Sequence, residues 1–189
     1  MPAPPTVSDL ALEEYRALRA TIRERGTIRM IVSLVTFLGW PALVALAARP
    51  LHSPEFVLLP LVALWAGFEV IVALHVGVER IGRYVQVHYE SAELPLPAWE
   101  QTAMRIGREP AAATGSDPLL LRLFVLAALL NLMPLAPFAL AQPSPSTLTV
   151  QLAVTVVIHV AFLIRLAQAR RFTRGQRTRD LELFSRRAV

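Results

Sequence analysis

The sequence contains no cysteine. Disulfide bonds, thiolate nucleophiles and cysteine metal ligands are therefore excluded. Lysine is also missing, so all 19 basic residues are arginines, a bias that a GC-rich bacterial genome produces without any demand for arginine chemistry. Charged residues make up 17% of the chain against 54% hydrophobic residues. Long apolar blocks alternate with arginine-rich blocks, which is typical of a multi-span membrane protein rather than of a soluble core.

The chain also lacks the short motifs of the common enzyme classes. No hydrolase elbow, phosphate-binding loop, zinc-protease motif or paired-carboxylate arrangement is present. We therefore predict that the protein is not an enzyme, and we expect neither a cofactor nor a metal. No nucleic-acid partner is expected either, because the arginines flank apolar blocks, where they set orientation and attract anionic headgroups. No cleavable signal peptide is recognisable, since the first apolar run begins only near Ile28.

Four apolar stretches are long enough to cross a bilayer as helices. They cover residues ~30–48, ~55–78, ~119–140 and ~148–164. Pro41 lies inside the first stretch, and Pro134 and Pro137 lie inside the third, where we expect kinks or breaks. The sequence thus predicts an all-α integral membrane four-helix bundle with cytosolic amphipathic helical extensions.

The remaining segments are predicted to lie outside the bilayer, and they divide the chain into five parts. Residues 1–27 are expected to form a cytosolic amphipathic helix that ends near Gly26, because glycine is a frequent helix terminator. The other parts are a transmembrane hairpin with a cytosolic extension of its second span (28–92), a cytosolic connector (93–117), a second transmembrane hairpin (118–166) and an arginine-rich tail (167–189).

The arginines predict the orientation of the spans. Five lie before the first span, five in the connector and its flanks, and eight at the end of the fourth span and in the tail, while only Arg49 lies on the opposite side. The positive-inside rule therefore places both termini on the cytosolic side of the membrane. We expect the tail residues Arg170, Arg171, Arg174 and Arg177 to contact anionic lipid headgroups, with an acidic partner as the alternative.

One acidic residue, Glu69, lies within an apolar stretch. A charge in the hydrocarbon costs about 3 kcal/mol or more, so such a residue is neutral, paired or facing water. We expect Glu69 to hydrogen-bond to His159, Asn131 or Arg122 at a helix contact. The small pair Ala73 and Gly77 on nearly the same side is expected to allow close approach of another helix.

The other intramembrane polar candidates are Asn131, His159 and His75. We expect Asn131 to bond across helices or to carbonyls that the nearby prolines free. His159 is expected to be a satisfied core residue. His75 and Glu79 stand at a spacing that suits a metal, but no second histidine motif accompanies them, so no metal site is predicted.

Two patterns outside the apolar stretches carry a resemblance to known proteins. One is Glu14-Tyr15-Arg16-Ala17-Leu18-Arg19 with Ile22 and Arg25, and the other is Arg80-Ile81-Gly82-Arg83-Tyr84 with Glu90, followed by Trp99-Glu100. They resemble uncharacterised bacterial multi-pass inner-membrane proteins. The resemblance implies a bacterial origin and a cytosolic face built from these two helices, and it implies no activity. We expect a cytosolic interaction surface that includes Arg80, Ile81, Arg83, Tyr84 and Trp99.

The leading functional hypothesis is a non-enzymatic interaction or assembly component. Its partners would be another membrane protein or further copies of the chain, in a bilayer with anionic headgroups. A small proton-coupled transporter or channel that uses Glu69 and His159 is the first alternative. A lipid-modifying membrane enzyme is the second, and it is disfavoured because neither a nucleophile nor a metal-ligand set is recognisable.

Overall fold

The structure, a computed structural model, describes residues 7–47, 54–90, 99–106, 119–136 and 146–187. Within these ranges all regular elements are helices. The prediction of an all-α protein is confirmed. Arg49, Pro137 and most of the predicted connector 93–117 lie outside the described residues.

Five α-helices and two short 3₁₀ turns make up the described part of the chain. In order they are α1 (Val7–Ala47), a 3₁₀ turn (Pro54–Val57), α2 (Leu58–His88), α3 (Trp99–Ile106), α4 (Leu121–Leu130), a second 3₁₀ turn (Met133–Leu135) and α5 (Ser146–Arg187). Helices α1, α2 and α5 contain 41, 31 and 42 residues. All three are long and apolar enough to cross a membrane.

The third predicted span differs from the other three. In the described residues it is a shorter apolar helical stretch, Leu121–Leu135, and residues 137–140 lie outside the description. The regular helix ends at Leu130 because Pro134 has no amide proton to donate, and the chain tightens into a 3₁₀ turn at that point. The described residues thus contain three helices of transmembrane length, whereas the sequence predicts four spans.

The predicted end of the first helix at Gly26 is wrong. Helix α1 continues through Gly26 to Ala47, and it also passes Pro41. A glycine inside a helix costs only about 1 kcal/mol relative to alanine. The apolar run that follows Gly26 favours a helix, so the glycine does not end it. The N-terminal amphipathic helix and the first apolar stretch are therefore one element.

The chain forms two compact units, and α1, α2 and α5 each contribute to both. Unit 1 comprises residues 1–28, 74–116 and 173–189, and unit 2 comprises residues 29–73 and 117–172. Unit 2 holds the predicted spans apart from the last residues of the second one. Unit 1 holds α3 and the more highly charged ends of the three long helices.

Aromatic side chains form the centre of unit 2. The ring of Phe68 on α2 lies 5.1 Å from Phe124 on α4 and 6.1 Å from Phe162 on α5, between ring centroids. Phe37 on α1 adds a fourth ring, 4.8 Å from Phe124. Phe68, Phe124 and Phe162 are fully buried. Edge-to-face and tilted pairs of this kind add to the stabilisation that burial alone provides, so four helices share one core in unit 2.

Helices α1 and α2 are in close contact at Gly67. A Cβ atom added there would stand 3.0 Å from the Cβ of Thr36 and nearer still to the ends of that side chain. The close helix contact predicted for Ala73 and Gly77 is not found at Ala73, which is exposed in unit 2. Gly77 belongs to unit 1, where the guanidinium of Arg25 lies against it.

We predict that Gly67→Ala destabilises the protein by about 1–3 kcal/mol, the usual effect of overpacking a close contact. The β-branched Thr36 side chain cannot turn away from the new methyl group as a flexible one would. Gly39→Ala is the matched control, because nothing lies within 4 Å of a Cβ added at Gly39. Denaturant titration in detergent micelles measures both. Equal stability of the two variants would contradict the contact.

Candidate functional site

The side-chain amide of Asn131 is the hydrogen-bonding centre of unit 2. Its nitrogen donates to the carbonyl oxygen of Val57 over 2.8 Å and lies 3.0 Å from Nε2 of His159. Its oxygen accepts a hydrogen bond of 3.1 Å from the indole of Trp40. Asn131 and His159 are buried. One residue at the end of α4 is thus bonded to α1, to the turn before α2 and to α5.

The contacts of His159 determine its tautomer. Nδ1 lies 2.8 Å from the backbone oxygen of Thr155, and a carbonyl oxygen can only accept. Nδ1 therefore carries the proton, and Nε2 accepts from the amide of Asn131. Both ring nitrogens of a neutral imidazole are used. A second proton on His159 would break the bond to Asn131, so the arrangement fits a structural core residue, as the sequence suggested.

Glu69 has partners other than those expected. Its Oε2 accepts a 2.7 Å hydrogen bond from the guanidinium of Arg165, and its Oε1 accepts a 3.1 Å bond from the indole of Trp65. The expected partners His159 and Asn131 bond to each other instead. Arg165 stands just past the predicted end of the fourth span, and its long side chain reaches the carboxylate from there. The side chains of Glu69 and Arg165 remain 40% and 29% exposed.

His75 is buried. Glu79, the other member of the spacing considered for a metal, forms an ion pair of 3.0 Å with Arg83. Among the residues that the structure describes, no group of three or more histidine, aspartate or glutamate side chains could hold a metal ion.

Unit 1 is held together on one side by the tyrosine cluster, which we define as Glu14, Tyr15, Tyr84 and Tyr89. The cluster includes all three tyrosines of the chain. The Tyr84 hydroxyl donates to Glu14 over 3.0 Å, and the Tyr89 ring lies 5.5 Å from Tyr15 and 6.2 Å from Tyr84. Phe184 on α5 adds an edge contact of 5.6 Å to Tyr84. The cluster therefore joins α1, the end of α2 and α5.

The cluster shifts the pKa values of its members. Hydrogen bonds from Tyr89 and then Tyr84 lower the pKa of Glu14. Burial, and then the hydrogen bond to Glu14, raises the pKa of both Tyr84 and Tyr89 above the ordinary value of 10.0. The folded state thus prefers ionised Glu14 and neutral phenols.

A second set of contacts holds the short helix α3. Glu90 at the end of α2 accepts a hydrogen bond of 3.0 Å from the backbone amide of Gln101, in the first turn of α3. Gln101 donates to the backbone oxygen of Glu90 over 3.2 Å. Glu100 pairs with Arg19 of α1 over 2.7 Å, and burial raises the pKa of Glu100 although Arg19 opposes the shift. A carboxylate at a helix N-terminus and a cross-helix ion pair therefore position α3 in unit 1.

Helix α5 joins α2 through a buried glutamine. Gln176 donates to the backbone oxygen of Val76 and to Asp180, each over 3.0 Å. Asp180 lies 3.7 Å from Arg80 on α2. Gln176 and Asp180 are both buried. The structure thus binds the tail segment of α5 to the extension of α2 with polar side chains that the sequence analysis did not single out.

An open groove lies between α2 and α5 in unit 1. It has a volume of about 410 Å³. Val87 and Leu181 supply apolar lining, and the polar lining comes from Arg177, Thr178, Glu182 and Ser185. The groove therefore combines apolar contact area with hydrogen-bonding groups.

Only some residues of the predicted interaction surface are exposed in the structure. Arg83 is only 8% exposed, because its guanidinium bonds to Glu79 and Gln86 within α2. It is therefore an interior residue, and its place on the predicted surface is wrong. Ile81 and Tyr84 are half-buried, whereas Arg80 is exposed and Trp99 is 61% exposed. Among the predicted lipid contacts, Arg170, Arg171 and Arg174 are exposed and Arg177 is half-buried.

Sequence reasoning missed three residues that organise these sites: Arg165, Gln176 and Gln101. Arg165 has a usable signal, because an arginine at the edge of an apolar stretch can reach back to an acid within it. The two glutamines have none, since a glutamine in a polar segment is ordinarily solvated. Glu90 belongs to the second sequence pattern, but its bond to α3 was not predicted.

Comparisons of the chain with protein-family models, with curated proteins and with solved structures find no match.

We predict that Tyr84 and Tyr89 ionise only above pH 10.0, the ordinary tyrosine value. The unfolded chain ionises at that value, so the stability contributed by the neutral phenols is present below it and is lost as the pH rises above it. Glu14→Gln should bring both pKa values closer to 10.0. Ultraviolet titration of phenolate measures this directly, because every tyrosine of the chain belongs to the cluster.

Glu13→Gln is the control for this titration. Glu13 is exposed and, within the described part of the chain, makes a long contact of 3.9 Å with Arg16. Its removal should leave the tyrosine titration unchanged. Ionisation of Tyr84 and Tyr89 near pH 10.0, or equal effects of the two glutamine variants, would contradict the cluster.

Proposed function

We propose that this chain is a multi-pass protein of the bacterial inner membrane and that unit 1 is a cytosolic interaction or assembly surface. The protein is non-enzymatic in this proposal, and both termini lie in the cytosol. Its partner is another protein of the membrane or its cytosolic face.

The observation that carries the proposal is the excess length of the three long helices. About 20 residues cross a bilayer, whereas α1, α2 and α5 contain 41, 31 and 42 residues. The excess at one end of each helix belongs to unit 1, together with α3. The arginine distribution favours the cytosol for this end. A membrane anchor alone would not need a second compact unit made from the ends of its spans.

The use of the acidic side chains in unit 1 supports a binding role over a catalytic one. Glu14, Glu79, Glu100 and Asp180 each bond to a side chain of the same unit, and Glu90 accepts a hydrogen bond from the backbone amide of Gln101 in α3. General acid–base catalysis needs a carboxyl group that is free to exchange a proton with a substrate. In the described part of unit 1, four of these five carboxylates instead connect one helix to another, and Glu79 bonds within α2.

The groove between α2 and α5 is the proposed contact site. Its apolar lining, Val87 and Leu181, can take an apolar side chain of the partner, and Arg177 and Glu182 can pair with polar groups around it. Exposed Trp99 offers a second anchor in the same unit. Tryptophan and arginine are the side chains on which binding energy is most often concentrated at interfaces.

The transporter hypothesis receives less support. It requires Glu69 and His159 to act together, but Glu69 bonds to Arg165 and Trp65, while His159 bonds to Asn131 and Thr155. These are two separate sets of contacts. A lipid-modifying activity likewise has no described residue set in its favour.

We predict that Ser185→Tyr reduces recovery of the partner by about tenfold or more. The added phenol would occupy the groove and exclude the partner side chain that carries much of the binding energy. Ser185 is exposed, so the substitution leaves the core intact. Affinity purification from native membranes in mild detergent, with quantitative mass spectrometry, measures recovery.

Leu183→Tyr provides the control for this experiment. Leu183 is exposed on the same helix and does not line the groove. It should leave recovery of the partner at the wild-type level. A wild-type protein that purifies alone as a monomer, or equal losses for the two tyrosine variants, would contradict the proposed surface.

A further inference from the structure

The ion pair between Glu69 and Arg165 leaves part of the guanidinium open. One amino group of Arg165 donates to Glu69, and the side chain is still 29% exposed. A guanidinium has five N–H donors in a planar fork. Donors of Arg165 therefore remain accessible at the surface of unit 2, at the end of an apolar stretch.

Arg165 begins a row of polar side chains on α5. Gln168 and Arg171 follow at successive steps of three residues, about 4.5 Å apart along the helix axis. Both are exposed and both belong to unit 2. All three side chains can donate hydrogen bonds, and two of them are cationic. The row therefore presents donors and positive charge over about two helical turns.

An apolar stripe leads into this row along the same side of α5. Val157, Val160 and Ile164 are 64%, 47% and 53% exposed, and helical spacing places them in line with Gln168 and Arg171. The exposed surface of α5 thus changes from aliphatic to cationic. A phospholipid has the same order of groups, from its acyl chain to its phosphate.

The charge of the row argues against a second copy of the chain as its occupant. A two-fold symmetric contact places each surface opposite itself, so arginines would face arginines. The nearby acid, Glu69, is already bonded to Arg165. An anion complements the row, and the planar guanidinium is well suited to a phosphate.

We propose that Arg165, Gln168 and Arg171 bind the phosphate of an anionic phospholipid of the inner leaflet, with an acyl chain along Val157, Val160 and Ile164. This inference rests on the membrane location in the proposed function. It narrows the lipid contacts expected for the arginine-rich tail to one site, whose first ligand is Arg165. The carboxylate of Glu69 holds that guanidinium in place from the protein side.

Trp65 is a natural reporter for the site. Its indole donates to Oε1 of Glu69, whose Oε2 accepts from Arg165. In a Trp40→Phe, Trp99→Phe background, Trp65 is the remaining one of the three tryptophans. Trp40→Phe removes the indole that bonds to Asn131, so circular dichroism and thermal unfolding first test whether this background folds like the wild type. If it does not, Trp40 is kept, and the site is read from the change in quenching that Arg171→Gln causes. The protein is then reconstituted with lipids whose acyl chains carry bromine, which quenches tryptophan fluorescence on contact.

Brominated phosphatidylglycerol should quench Trp65 more strongly than brominated phosphatidylcholine at equal mole fraction. Arg171→Gln should lower the apparent preference for the anionic lipid by about fivefold, the effect of one basic residue near a charged membrane surface. Gln168→Ala should lower it less. Arg186→Gln, the same charge change at an exposed position of unit 1, should leave the preference unchanged.

Three kinds of outcome would contradict the lipid site or the membrane location on which it rests. Equal quenching by the two lipids, or equal losses for Arg171→Gln and Arg186→Gln, would overturn the site while leaving the membrane location intact. Loss of the preference when inorganic phosphate is added at matched ionic strength would show that the site takes a free anion, which would also overturn the lipid assignment. Absence of quenching by either lipid would instead contradict the membrane location itself.

Discussion

The side-chain amide of Asn131 is the interaction on which unit 2 depends most. A buried polar group without a hydrogen-bond partner costs about 1–3 kcal/mol, and Asn131 and His159 are both buried. Asn131 supplies the hydrogen-bond partner for the indole of Trp40 on α1, for the carbonyl of Val57 before α2 and for the imidazole of His159 on α5. The aromatic rings of Phe68, Phe124 and Phe162 pack in the same unit. Apolar packing thus brings the helices together, and the amide limits the arrangements in which every polar group is satisfied.

The same constraint explains why charge is concentrated in unit 1. There, ion pairs such as Arg19 with Glu100 and Arg80 with Asp180 connect different helices. Partly exposed pairs contribute little stability each, so their main effect is to fix which faces meet. In unit 2 the charged pair of Glu69 and Arg165 lies at the surface of the unit, partly exposed. At this position the guanidinium of Arg165 can donate hydrogen bonds both to the carboxylate of Glu69 and to an anion outside the protein.

Hydrophobic patterning was sufficient to predict an all-α chain with long apolar helices, because period and length are properties of the sequence alone. It could not predict partners. The helix face on which Glu69 lies follows from the sequence. That Glu69 bonds to Arg165 rather than to His159 depends on where α5 lies beside α2 and on the reach of an arginine side chain. Likewise, Gly26 is a sound helix terminator in isolation, and only the apolar run beyond it keeps α1 continuous. The sequence pattern at residues 80–84 places Arg83 on the predicted surface, whereas contacts with Glu79 and Gln86 allow its burial.

The central claim is that the long helices cross a bacterial inner membrane with unit 1 in the cytosol. The cysteine-free chain permits a direct test, because a single introduced cysteine is the only thiol. Thr149 and Ser185 lie near opposite ends of α5, and both are exposed. Labelling of intact spheroplasts with a membrane-impermeant maleimide should modify Thr149→Cys, and should modify Ser185→Cys only after permeabilisation. Modification of Ser185→Cys in intact spheroplasts, or recovery of the protein in the soluble fraction, would contradict the account.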